Sequence, residues 1–88
     1  MVKPYVEHNG IRVFPIDVSE EDLVWHRDKE DRTIKVLEGS GWKFQYDNSL
    51  PFELKLKDEV TIREMVYHRL IKGISPLKIE IIRGSNVN

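Results

Sequence analysis

The sequence predicts an all-β protein, and three observations lead to this class. Apolar and polar residues alternate with a period of two through much of the chain. Turn-forming residues interrupt the alternation every few positions, as at 39–41, 47–51 and 72–76. Only one short helical signal is present, in which Ser19 precedes Asp22 as in a capping box. About eight short strands at this spacing predict a sandwich or a barrel, and we favour a barrel because closure removes exposed edges.

The alternating runs carry their apolar residues on one face, as in an antiparallel sheet with one solvated face. The apolar residues of these runs are Ile11 and Val13; Ile34 and Val36; Trp42, Phe44 and Tyr46; Phe52, Leu54 and Leu56; Val60 and Ile62; Leu77, Ile79 and Ile81. The aromatic stripe from Trp42 to Tyr46 is interpreted as core. Asn9 and Gly10 suit a primed hairpin turn between the first two strands, and the tail 84–88 is expected to fray.

Length and composition predict a single domain spanning residues 1–88. A formal net charge of −1 gives no electrostatic attraction to nucleic acid or to an anionic membrane, so we expect neither as a partner. No apolar run reaches the roughly 20 residues of a membrane-spanning helix, and no secretory leader is visible. With no cysteine in the chain, we expect a cytoplasmic protein.

The stretch at residues 24–39 contains the candidate metal ligands. His26 and Asp28 are two positions apart, so on a strand both side chains point to the same face. A second histidine, His68, lies in a later run that we expect to pair with this one. Two imidazoles and one carboxylate form the facial triad of non-haem Fe(II), and the same set would hold Zn²⁺ or Mn²⁺.

The same stretch resembles the first motif of the cupin family, a small double-stranded β-helix barrel. That motif reads His, any residue, His, three or four residues, Glu, six residues, Gly. Here the corresponding positions are His26, Asp28, Arg32 and Gly39, so an aspartate replaces the second histidine and an arginine replaces the glutamate. The resemblance implies a cupin-like barrel with a divalent metal at its mouth.

The second cupin motif ends in a metal-binding histidine, and His68 occupies that position. The other positions of this motif correspond to Lys57, Asp58, Ile62, Arg63 and Met65. The family's two glycines and its proline are therefore replaced, although the spacing is kept. Together the motifs cover about residues 23–82, and they imply metal ligation by His26, Asp28 and His68.

The arginine at the glutamate position leaves two interpretations open. Arg32 shares a face with Asp28, and a permanently charged guanidinium could replace a cation and form a metal-free polar network. Alternatively, Arg32 and Arg63 line the mouth and bind a small acidic ligand, because a planar guanidinium grips a carboxylate at two points.

These residues lead us to expect a protein that binds a small, acidic molecule in the barrel beside a divalent metal. A metal-dependent enzyme, of the Fe(II) dioxygenase or isomerase type, and a structural dimerisation module remain alternatives. Trp25 and Tyr67 fall on the face opposite the histidines, which predicts an outward aromatic surface and a homodimer. The identity of the ligand, the metal and any turnover are left open by the sequence.

Overall fold

The computed structural model describes residues 3–83 and is nearly all β. Its strands are β1 Val6–His8, β2 Ile11–Phe14, β3 Arg32–Glu38, β4 Lys43–Tyr46, β5 Phe52–Glu53, β6 Glu59–Ile62, β7 His68–Ile71 and β8 Leu77–Arg83. A single 3₁₀ turn, Glu20–Asp22, begins where Ser19 Oγ accepts the backbone N–H of Glu21, at 3.2 Å. The predicted frayed tail at 84–88 lies outside the described residues. Within 3–83, no helix has the length and apolar character needed to cross a membrane.

The strands form two antiparallel sheets, with the orders β1-β2-β8-β3-β6 and β5-β4-β7. The all-β prediction is confirmed, but the sheets do not close into the barrel that we expected. One reason is visible at the segment 23–28, where a strand was predicted and only an isolated bridge forms, between His26 and His68. Before His68, Met65 has a φ of +64°, and its N–H donates to the carbonyl of Asp28 at 2.7 Å without a further bridge being formed.

The first hairpin follows the sequence prediction. Asn9 and Gly10 have φ values of +53° and +80°, the left-handed pair that a type I′ turn requires. His8 therefore pairs with Ile11, and this pairing fixes the register of β1 on β2.

Both sheets contribute to one hydrophobic core. Its buried residues are Phe14, Val18, Leu23, Ile34, Val36, Trp42, Phe44, Leu54, Val60, Ile62, Leu77, Ile79 and Ile81. The aromatic stripe is core as predicted, because Trp42 and Phe44 are fully buried and Tyr46 packs against them. The phenol O–H of Tyr46, on β4, donates to the carbonyl oxygen of Thr61 on β6, at 2.6 Å, and so links the sheets.

The loop before β4 and the loop before β8 lie in close contact, which fixes the position of the chain where β4 begins. Trp42 Nε1 donates to the carbonyl oxygen of Ser75 at 2.7 Å, and the N–H of Ile74 donates to the carbonyl of Ser40 at 2.9 Å. Gly73 lies so close to the other loop that a β-carbon would be 2.3 Å from the Ser40 oxygen. Only glycine fits at this contact.

Two runs differ from their predicted orientation. In β2, the buried Phe14 faces the core and Arg12 shares its face, so Ile11 and Val13 are not the inward residues that the alternation predicts. In the run at 52–56, only Leu54 is buried: Phe52 is 40% exposed, and Leu56 is exposed because the chain turns at Lys57, whose φ is +73°.

Candidate metal centre

The structure brings His26, Asp28 and His68 together. One ligand atom from each residue lies within 4.8 Å of the others, which is close enough to bind a metal ion. Asp28 Oδ2 is 3.5 Å from His68 Nε2, and the two imidazole rings meet edge to face with centroids 4.2 Å apart. This is the cluster that the spacing in the sequence predicts.

The backbone positions these side chains across a sheet edge. The N–H of His26 donates to the carbonyl of His68 at 3.0 Å, and the N–H of His68 donates to the carbonyl of His26 at 2.9 Å. The carbonyl of Asp28 accepts from the N–H of Met65 at 2.7 Å. Since His26 and Asp28 are two residues apart in extended chain, both side chains project to the side where His68 lies.

Each imidazole is held in one tautomer by a main-chain carbonyl. His26 Nδ1 is 3.1 Å from the carbonyl oxygen of Val24, and His68 Nδ1 is 2.8 Å from that of Val66. A carbonyl oxygen can only accept, so in both rings Nδ1 carries the hydrogen and Nε2 of the neutral ring keeps a lone pair. This is the usual arrangement of metal-binding histidines, in which the second nitrogen donates to a carbonyl or carboxylate.

His68 is buried and is favoured in its neutral form. Burial lowers its pKa below the usual 6.5, while the hydrogen bond to Val66 acts in the opposite direction with a smaller effect. The ring also stacks on Phe44, with an interplanar angle of 13° and centroids 5.6 Å apart. A neutral, immobilised imidazole is a ready metal ligand.

The two oxygens of Asp28 have different neighbours. Oδ1 lies 3.4 Å from Nη1 of Arg32, whereas Oδ2 faces Nε2 of His68. With Nδ1 of His68 protonated, Nε2 and Oδ2 are two acceptors that face each other, and a cation between them would remove this repulsion. Arg32 therefore contacts the carboxylate from the side that does not face His68.

Arg32 is the better placed of the two predicted ligand-binding arginines. Its Nε is the one buried side-chain nitrogen or oxygen among the described residues that lacks a hydrogen-bond partner, since Oε2 of Glu30 is 3.6 Å away. Arg63 has a side chain that is 77% exposed and lies 3.9 Å from Asp31. It does not line the cavity beside the cluster, and its ligand-binding role stays a prediction.

The cluster opens on a cavity of about 400 Å³ between the two sheets. Our sequence reasoning missed three polar residues of its lining, Lys3, Tyr5 and Arg12. The guanidinium of Arg12 lies 4.2 Å from the ring centroid of Tyr5 and pairs with Glu7, whose pKa this hydrogen bond lowers. Phe14, two residues after Arg12 and more strongly apolar than its neighbours, was the signal that could have indicated which face of β2 turns inward.

The predicted outward aromatic residues lie on the other face of the bridge. Trp25 and Tyr67 are each 40% exposed. Arg69 lies over the ring of Trp25 at 4.6 Å and Arg27 over that of Tyr67 at 5.0 Å, so cations cover both rings in part. The homodimer that we expected from these residues stays a prediction.

Comparisons with known proteins give no family for the chain. No protein-family model matches the sequence, and neither the curated proteins nor the solved structures include a match. The functional features of the chain are therefore those of the site itself: a group of two imidazoles and one carboxylate that could hold a metal ion, beside a largely apolar cavity.

Proposed function

We propose that the protein binds one divalent metal ion through His26, Asp28 and His68, and holds a small acidic molecule in the adjoining cavity. The observation that supports this most directly is the set of three donor atoms within 4.8 Å of one another. The two Nδ1 hydrogen bonds support it as well, because they leave an Nε2 lone pair on each imidazole.

We also propose a cupin-like architecture, which the order of strand pairing supports. The pairs are nested: β2 with β8, the His26 segment with β7, β3 with β6, and β4 with β5. Two further pairings, β3 with β8 and β4 with β7, assemble these into two facing sheets. This nesting is the order of a jelly roll, the double-sheet architecture to which cupins belong.

The donor set suits several metals. Two imidazole nitrogens and one carboxylate oxygen fit Fe(II), Zn²⁺ or Mn²⁺, and three protein ligands leave coordination positions for other groups. A metal bound here would supply a Lewis acid beside the cavity. Catalysis by it, of dioxygenase or isomerase type, stays a prediction.

Metal analysis of the purified full-length chain tests the proposal. After incubation with Zn²⁺ or Mn²⁺ and removal of free ion, we expect about one metal per chain. His68→Ala and His26→Ala should each lose most of it, whereas His8→Ala should not, because His8 lies on the exposed strand β1. Metal content that is the same in the wild type and in both ligand variants would contradict the proposal.

A metal-free network is the second candidate, and the contact of Arg32 with Asp28 at 3.4 Å favours it. In that case the guanidinium alone balances the carboxylate, and His68 stays neutral in the core. The same metal analysis separates the two candidates, because the network predicts no stoichiometric metal at any of the tested concentrations.

A further inference from the structure

We infer that the ligand of the cavity is an amphiphilic monocarboxylic acid, with its carboxylate at Arg32 and a hydrocarbon body against the apolar lining. The inference rests on the proposed function and names its ligand class. Three features of the cavity lead to it: the charge of its lining, the chemistry of the remaining wall and the cavity's size.

The charged residues of the lining favour an anion. Lys3, Arg12 and Arg32 are cationic, and within residues 3–83 Asp28 is the only carboxylate of the lining. Arg12 is paired with Glu7, and Nη1 of Arg32 contacts Asp28, but the buried Nε of Arg32 lies 3.6 Å from Glu30 and has no hydrogen-bond partner. An unsatisfied buried N–H is costly, and a carboxylate is the group that a guanidinium binds best.

Most of the remaining wall is hydrocarbon. Nine of the lining residues are apolar and come from both sheets, among them Phe14, Ile34, Phe44, Ile62 and Leu70. They begin directly beside the polar cluster, because Phe44 stacks on His68 and Ile62 is the Cα partner of Arg32. Ile34 follows Arg32 by two residues on β3, so both face the cavity.

The cavity is large enough for a ligand whose hydrocarbon part has more than two or three carbons. A volume of about 400 Å³ lies in the range of small-molecule sites. A sugar acid or a short dicarboxylate would place hydroxyls or a second charge against isoleucine and leucine side chains without hydrogen bonds, which is unfavourable. A fatty or aryl-substituted monocarboxylate places its single charge at Arg32 and buries the rest.

A series of straight-chain carboxylates tests the inference on the full-length protein loaded with Zn²⁺. Acetate, butyrate, hexanoate and octanoate are titrated by calorimetry, with 1-hexanol as a neutral probe of the same length. We expect the affinity to rise roughly fourfold for each added methylene until the cavity is filled. Hexanoate should bind more tightly than hexanol, and Leu70→Phe should lower the chain length at which the rise ends.

Arginine variants test the position of the carboxylate. Arg32→Gln should bring the affinity for hexanoate down to that for hexanol, and Arg32→Lys should keep part of the difference because it keeps the charge. Arg27→Gln is the matched control and should behave as the wild type, because Arg27 is exposed, lies over the ring of Tyr67 and does not line the cavity.

The results of these titrations distinguish a failure of the ligand inference from a failure of the proposed metal site. Equal affinity for all four acids, or tighter binding of succinate or gluconate than of hexanoate, overturns the inference even if zinc is bound stoichiometrically. If the protein does not bind zinc but its affinity for the acids still rises with their chain length, the inference is supported and the metal is removed from the proposed function.

Discussion

Replacing Asp28 with asparagine separates the two roles of its carboxylate. In metal-free protein the carboxylate balances Arg32, and the two side chains are only 11% and 18% exposed. Breaking a buried ion pair costs about 3–5 kcal/mol, but here Glu30 lies 3.6 Å from Arg32 Nε and the new amide still offers an oxygen. We therefore expect Asp28→Asn to lower the free energy of unfolding by about 1–2 kcal/mol.

The proposed metal site predicts a second, larger difference. Zinc at a hundredfold excess over its Kd should stabilise the folded wild type by about 2.7 kcal/mol, which corresponds to a rise in Tm of at least about 10 °C for a domain of this size. Asp28→Asn lacks one of three ligands and should show little of this rise. Thermal melts in EDTA and in zinc, followed by circular dichroism, measure both differences.

The control for this variant is Asp31→Asn. Asp31 is a nearby carboxylate that is half-exposed and pairs with Arg63 outside the cluster, so its replacement should leave the zinc-dependent rise intact. If Asp28→Asn shows the same zinc-dependent rise in Tm as the wild type, the assignment of Asp28 as a ligand is wrong.

Three further predictions concern stability and are measured by urea unfolding. Gly73→Ala should lower the free energy of unfolding by about 1–3 kcal/mol, because the β-carbon of alanine would lie 2.3 Å from the Ser40 oxygen. An unchanged urea midpoint would refute the loop contact. Tyr46→Phe should cost about 1 kcal/mol through loss of the 2.6 Å bond to Thr61, and a neutral effect would show that the phenol does not link the sheets. In EDTA, the contribution of His68 to the free energy of unfolding should be fully present above about pH 6.5 and should fall below that pH. Burial lowers the pKa of His68 in the folded protein, so on acidification this histidine is protonated first in the unfolded chain. His68→Gln should flatten this part of the pH profile.

The cluster could be predicted from the sequence because residues two positions apart on a strand point to the same face. His26 and Asp28 share a face in any extended chain, and the alternation around His68 indicated a second strand. Their meeting across one bridge needed the pairing of distant segments, for which the resemblance to the cupin motifs supplied the expectation. The tautomers of the rings could not be predicted, since they depend on the carbonyl oxygens of Val24 and Val66.

The cavity lining was harder to predict for a physical reason. In β2, residues Ile11 to Phe14, either face could be read as inward, because apolar residues occur at both parities. Arg12 can face inward because its guanidinium packs on Tyr5 and pairs with Glu7. The alternation of apolar and polar residues within β2 does not indicate either contact.

The isolated bridge between His26 and His68 has a kinetic consequence for any ion bound there. Two reciprocal amide–carbonyl bonds and the bond from Met65 to Asp28 attach the segment that carries two of the three donors. Fraying of this short edge would withdraw both donors together, so dissociation of the ion and local opening of the backbone become one event. The amide of His26 should then exchange with deuterium at a rate that reports ion release directly.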